Sequence, residues 1–99
     1  MIIEATNDAI TEIKKILAKQ DRDDLVIRIN ISGFGWGGPS MGLVLDEQKE
    51  NDYVEEIDDV TFVAGEDLKS YKGFDVEYVS EFLRKGFVIT PKGVHQSSC

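Results

Sequence analysis

Between residues 6 and 20 the apolar side chains Ala9, Ile10, Ile13, Ile16 and Leu17 recur at the three-and-four spacing of one helix face. Thr6 or Asn7 is placed to cap that helix, Asp8 falls in its first turn, and Lys14, Lys15 and Lys19 lie toward its end. After the polar turn at residues 21–24 the period changes to two. Leu25, Ile27, Ile29 and Ile31 alternate with Val26, Arg28 and Asn30, the pattern of a half-buried strand. Residues 32–40 read as a glycine-rich loop, and Met41, Leu43 and Leu45 then alternate again up to an acidic turn at residues 46–52. Further on, residues 60–63 predict a short strand and residues 66–71 a short helix closed by Lys72-Gly73. Two more strands are expected at Phe74, Val76 and Tyr78 and at Phe87 and Ile89, with Pro91 stopping the pairing. The elements predict one α+β domain over residues 1–91, its strands mostly antiparallel or mixed, with an N-terminal amphipathic helix and a short second helix. Residues 92–99 lack a period and read as a flexible C-terminal tail. The apolar phase of each segment assigns Ile10, Ile13, Leu17, Ile27, Ile29, Leu43, Leu45, Phe62, Val76 and Phe87 to the core.

Composition narrows the choice of partner. The 99 residues carry 19 acidic side chains against 11 basic ones, a net charge of −8. Binding to a phosphate backbone needs a clustered basic face, and the lysines of the first helix belong to a mixed surface, so neither nucleic acid nor an anionic membrane is expected. No apolar run approaches the roughly 20 residues that span a bilayer. The start Met1-Ile2-Ile3-Glu4 lacks the basic opening of a signal peptide. The reading is a soluble, cytoplasmic protein. A single cysteine, Cys99, excludes an internal disulfide framework and suits a reducing compartment.

Four motifs invite chemistry. Gly33-Phe34-Gly35-Trp36-Gly37-Gly38 fits the G-x-G-x-x-G spacing, but Pro39 and a period-two segment follow where a phosphate-binding loop would open a helix. A dinucleotide site is rejected, and the glycines are read as part of a connection between strands. Trp36 has no local side chains to pack on; a core or interface plug is favoured for it over an aromatic contact to a ligand. His95 and Cys99, four residues apart, are the chain's only soft metal ligands, and two such donors leave a tetrahedral site half closed. A Cys–His nucleophile pair lacks any identifiable orienting group, so no enzyme is expected. The acids at residues 46–59 lack the order and central glycine of a calcium loop and read as a solvated acidic hairpin edge.

The order of helix, strand, glycine-rich segment, Ser40-Met41-Gly42-Leu43-Val44-Leu45-Asp46, acidic turn, short strand, short helix, Phe74-Asp75-Val76-Glu77-Tyr78-Val79, Gly86-Phe87-Val88-Ile89 and a tail ending in Ser97-Ser98-Cys99 resembles the HesB/IscA family, the A-type iron–sulfur carriers. The resemblance spans nearly the whole chain and implies that family's compact α+β fold. It also implies an iron–sulfur cluster or iron as cofactor, held by one cysteine of the glycine-rich loop and two of a C-terminal Cys-Gly-Cys, usually across a homodimer. In this alignment Trp36 stands at the loop cysteine and Cys99 at the first cysteine of the tail. One of the three expected thiolates remains, and an indole does not ligate iron.

The resemblance therefore implies a protein of iron–sulfur cluster assembly or iron handling. Cys99 is the only cluster and metal ligand that the resemblance carries over, and assembly or recipient proteins are the partners it implies; His95 is added as a second metal donor on its residue chemistry alone. The alternative is a family member that has lost cluster binding and serves as a protein-interaction module, with Trp36 filling the vacated position. Beyond Cys99 the resemblance leads one to expect Gly-Cys. Natural loss and a shortened chain are the simpler accounts of its absence, and a UGA codon read as selenocysteine directly after Cys99 is a third.

Overall fold

The fold comes from a computed structural model that describes residues 1–35 and 38–93, the side chains of 34–39 apart. Its elements run β1 (Ile2–Ala5), α1 (Asn7–Ala18), β2 (Val26–Gly35), β3 (Gly38–Asp46), β4 (Tyr53–Ile57), β5 (Val60–Ala64), β6 (Gly73–Ser80) and β7 (Lys85–Lys92). They form a three-stranded sheet in the order β1-β6-β7 and a four-stranded sheet in the order β3-β2-β5-β4. Pairing is parallel between β1 and β6 and between β2 and β5, and antiparallel elsewhere.

Helix α1 starts where the capping chemistry puts it. The Thr6 hydroxyl accepts the Ala9 N–H at 3.2 Å, satisfying one of the amides that the first turn leaves free. Ala9, Ile10 and Ile13 are buried, and the helix packs on β5 and β6. The same threonine donates its own N–H to the Val76 carbonyl at 3.0 Å, so the cap also fixes the helix against the three-stranded sheet. Both sheets and the helix share one core, in which Ile3, Ile29, Phe62, Leu68, Phe74 and Val76 are fully enclosed. Among the described residues no helix is long and apolar enough to cross a membrane.

Several expectations are corrected. The second helix is only a 3₁₀ turn, Glu66–Leu68, its role being to bury Leu68 before the chain enters β6. The glycine-rich segment is not a loop. Gly33 pairs with Ser40, Phe34 with Pro39 and Gly35 with Gly38, so the β2–β3 ribbon continues through it after a bulge between Ile31 and Gly33. Pro91 does not stop the pairing, because it faces Phe74 in β7, an edge strand where a missing N–H is tolerated, and Lys92 still pairs with Gly73. Lys92, expected as the first residue of the tail, is thus part of β7, and the rest of the expected tail from residue 94 lies outside the described residues.

Two strands had no sequence signal of their own. β1 is four residues long, too short for a period, and is recruited by its parallel register with β6. That register depends on Gly73, where a Cβ would stand 2.0 Å from the Ile2 carbonyl oxygen. β4 is hidden in the acidic run: Tyr53, Glu55 and Ile57 turn toward the core side while Val54 and Glu56 are exposed. In the core, six of the ten assigned residues are buried, whereas Leu17, Leu43 and Phe87 are half-buried. Leu45 is 37% exposed, since β3 is the outermost strand of its sheet. Ile16, Leu43, Leu45 and Phe87 line an open apolar cavity of about 150 Å³ between α1, β3 and β7.

Candidate functional site

Trp36, His95 and Cys99 all lie outside the described residues, so their mutual geometry is not part of the structure. What the structure does give is the frame from which each emerges. Trp36 follows the end of β2, on a ribbon pinned at its bulge by a 3.1 Å hydrogen bond from the Ser32 hydroxyl to the Ser40 carbonyl. Below that pin, Gly42 faces Asn30, and a Cβ there would meet Asn30 Oδ1 and Ser32 Cβ at 3.4 and 3.5 Å, ordinary contact distances. Among the described residues Asn30 Oδ1 is buried without a hydrogen-bond partner.

His95 and Cys99 follow β7, whose last residue is tied down. Lys92 Nζ donates to Asp75 Oδ1 at 2.7 Å and to Glu4 Oε1, joining the end of β7 to β6 and β1. Asp75 first and Glu4 second raise the Lys92 pKa above its ordinary 10.5, against the opposing effect of burial. Gly93 then turns with φ +45°, where a side chain would also press on the Lys72 stem. β3 and β7 are in contact although they belong to different sheets. Leu43 and Leu45, toward the end of β3, line the same apolar cavity as Phe87, near the start of β7.

Elsewhere the charged groups are structural. Arg28 donates Nε to Asp46 Oδ2 at 2.6 Å and two guanidinium nitrogens to the Asp52 carboxylate at 2.8 and 2.6 Å. Its side chain is 12% exposed and that of Asp52 only 3%. The acidic turn is thus not wholly solvated, and two of its acids are folded inward onto a strand arginine. Arg28 holds the Asp52 carboxyl below the usual carboxylate range against the cost of burial, and the Lys49 N–H assists. Asp46 is lowered first by the Glu47 N–H and then by Arg28. The only sequence signal was an arginine within an apolar strand. On the opposite side, Glu55 Oε1 accepts the Ile3 N–H at 3.0 Å and the Tyr53 hydroxyl at 2.8 Å, coupling the two sheets and raising the tyrosine pKa.

Among the described residues no group of three or more His, Cys, Asp and Glu side chains converges to hold a metal ion. The chain's one histidine and one cysteine both stand in residues 94–99, so soft ligation has to come from that segment.

No family model matches the chain. It is, however, 33% identical over 86 residues to the iron-sulfur cluster insertion protein ErpA of Alkalilimnicola ehrlichii, a match that covers 85% of this chain and 70% of the relative. The chain belongs to the HesB/IscA-like family. Its fold agrees with solved members. A crystal structure of Escherichia coli SufA, involved in biosynthesis of iron-sulfur clusters, superposes with a TM-score of 0.70 at 25% identity, covering 98% of this chain and 85% of that one. A crystal structure of IscA with the [2Fe-2S] cluster gives a TM-score of 0.71 at 22% identity over 96% and 89% of the two chains, a likeness of fold. The two-sheet frame described above is therefore that of the HesB/IscA-like A-type carriers.

Proposed function

We propose that this protein takes part in iron–sulfur cluster assembly as a carrier, holding a cluster or iron for transfer to another protein. Cys99 is its thiolate ligand and His95 its second donor. The observation that carries this reading is the likeness, over most of the chain, to a relative named for iron–sulfur cluster insertion. The IscA of the same fold holds a [2Fe-2S] cluster.

The chemistry of the donors sets the stoichiometry. One chain offers one thiolate and one imidazole. Two chains offer two of each, and a two-iron cluster takes four donors, a set in which imidazole can replace thiolate on one iron. The reading is therefore a homodimer with the cluster at its seam, working in the reducing cytoplasm and passing cargo on without catalysing a reaction of its own. The Lys92 clasp and the turn at Gly93 support it by giving the ligand-bearing segment a fixed root.

Anaerobic reconstitution with ferrous iron and sulfide tests it. The wild type is expected to develop sulfide-to-iron absorption and to retain about two irons per pair of chains, as a two-iron cluster requires. Cys99→Ser should abolish both, His95→Ala should reduce them, and Trp36→Cys should raise occupancy by restoring a thiolate to the ribbon. A wild-type protein that stays colourless would overturn the carrier reading and leave the interaction module, in which Trp36 occupies the ligand position.

A further inference from the structure

Among the described residues, two hairpins close through two-residue turns, and the residues they use differ. Asp58 and Asp59 link β4 to β5 with φ of 48° and 69°. Short polar residues tolerate that region, and a turn with positive φ at both positions matches the twist of the strands. Between β6 and β7 the Glu81 N–H donates to the Arg84 carbonyl at 2.6 Å and the Arg84 N–H returns to the Glu81 carbonyl at 3.3 Å. Phe82 and Leu83 are thus the two turn residues. Neither has positive φ, and neither belongs to the types that such a turn favours.

Their side chains are 99% and 87% exposed. A single surface leucine is ordinary, but here a phenylalanine and a leucine stand together at the apex of a ladder paired without interruption from Gly73 and Lys92 to Ser80 and Lys85. The backbone holds them out in water. Local stability does not account for them, since the turn would close better on asparagine and glycine.

Charge indicates what would cover them. Arg84 and Lys85 follow the apex, both are exposed, and neither makes an ion pair among the described residues. Against exposed Glu81 on the other side of the turn, the two cations leave a local excess of one positive charge beside the apolar tip, in a chain of net charge −8. An apolar pocket rimmed by carboxylates complements it, and the acidic remainder of the chain disfavours other approaches of the same partner. An anionic bilayer would accept Phe82 and Leu83 but would be repelled by the molecule as a whole.

We propose that the Phe82–Leu83 turn is a docking knob that inserts into an apolar, acid-rimmed pocket on the apoprotein receiving the cluster, with Arg84 and Lys85 steering the encounter. The identity of the partner rests on the carrier reading; the contact itself does not require a bound cluster.

The probe is an acidic apo-ferredoxin of the [2Fe–2S] type, titrated into isotope-labelled, cluster-free protein. The largest shift changes are expected at residues 81–86. The double variant Phe82→Asn/Leu83→Gly should weaken binding by about tenfold or more, as loss of a central anchor does. Because it supplies the residues that the turn favours, its thermal midpoint should stay at or above that of the wild type. Arg84→Glu/Lys85→Glu should slow association and remove most of its salt dependence. Absence of binding, shifts confined to another face, or binding unaltered in the Asn-Gly variant would overturn the proposal. Sedimentation with phosphatidylglycerol vesicles that depends on Phe82 and Leu83 would overturn it too, making the turn a membrane anchor. Iron and sulfide reconstitution of both proteins runs alongside, and a colourless wild type there refutes the carrier reading while the binding result stands on its own.

Discussion

Arg28 and Lys92 each meet two carboxylates from other elements, yet water reaches the two clusters very differently. Arg28 is 12% exposed and its main partner Asp52 is 3% exposed, whereas Lys92 is 25% exposed against 65% for Glu4 and 44% for Asp75. In the first cluster Arg28 and Asp52 have given up most of their hydration, so each depends on the other being present, while Asp46 keeps 31% of its side-chain exposure. In the second, water and salt compensate for any lost partner, and the attraction is largely screened. The same count of ions therefore does two jobs. Arg28 locks the acidic turn between β3 and β4 onto the four-stranded sheet, and Lys92 ties the end of β7 to β6 and β1.

The largest expected effect comes from emptying the buried cluster. Arg28→Met leaves the enclosed Asp52 carboxylate without its guanidinium partner and Asp46 with only the exposed Lys49 at 3.7 Å, and denaturant melts should show a loss of about 3–5 kcal/mol, the range for breaking a buried pair. A loss below about 1 kcal/mol would show that the cluster behaves like the surface one.

Replacing only the acid should do less. Asp52→Asn keeps an oxygen for Arg28 and leaves Asp46 in place, so a loss of about 1–3 kcal/mol is expected, in the range for a weakened buried hydrogen bond. If the two variants lose equally, the bidentate Asp52 contact holds the turn by itself and Asp46 adds nothing.

Titration separates the clusters by sign. Asp46 and Asp52 have folded pKa values below their ordinary 3.8, so the stabilisation they confer is complete above 3.8 and is lost as pH falls through the folded values. Lys92 has a folded pKa above 10.5, so its contribution is complete below 10.5 and is lost as pH rises through the folded value. Thermal midpoints taken across both limbs should fall more steeply on the acid side, and Arg28→Met should flatten that acid limb. An acid limb unchanged in Arg28→Met would assign it to other carboxylates.

The smallest effect is expected at Lys92. Lys92→Met should shift the midpoint less than either change in the buried cluster, and the difference should vanish in about 1 M salt, where the screening length is about 3 Å. Its iron occupancy on reconstitution should nevertheless drop, because the root of residues 94–99 is released. Full occupancy in Lys92→Met would mean that the clasp does not position that segment.

How much of this was legible beforehand depended on how local the signal was. The helix was readable from its capping threonine and its apolar face, and β2 from its alternation, because each pattern is complete within a dozen residues. β1 and β4 were not, since one is too short to show a period and the other is masked by acids that serve the neighbouring turn. The glycine-rich segment misled for a related reason. Glycines are depleted in strands, yet register with a partner strand keeps residues 33–35 and 38–40 extended. For the site, the order of motifs carried the family, and the residue types named Cys99 and His95 as the only soft donors. The roles of Arg28, Glu55 and Lys92 were not readable, because each is defined by partners brought together from other elements.

The sequence by itself determined the helix and the main strands, the acidic character of the surface and the small inventory of ligands, since periodicity, charge and residue chemistry are properties of the chain before it folds. Only the tertiary structure decided which acids are hidden, which strand ends stay paired and which apolar residues remain in water. The Asp52 side chain is 3% exposed and Glu56 lies at the surface, although both belong to one acidic run, because of the two only Asp52 comes within reach of Arg28. Phe82 is exposed and Phe87 half-buried, five residues apart, because the turn at Glu81 and Arg84 projects the first beyond the sheets while the ladder brings the second against Tyr78, ring centroids 5.1 Å apart. Burial is a property of what the rest of the chain places nearby, and no local pattern contains it.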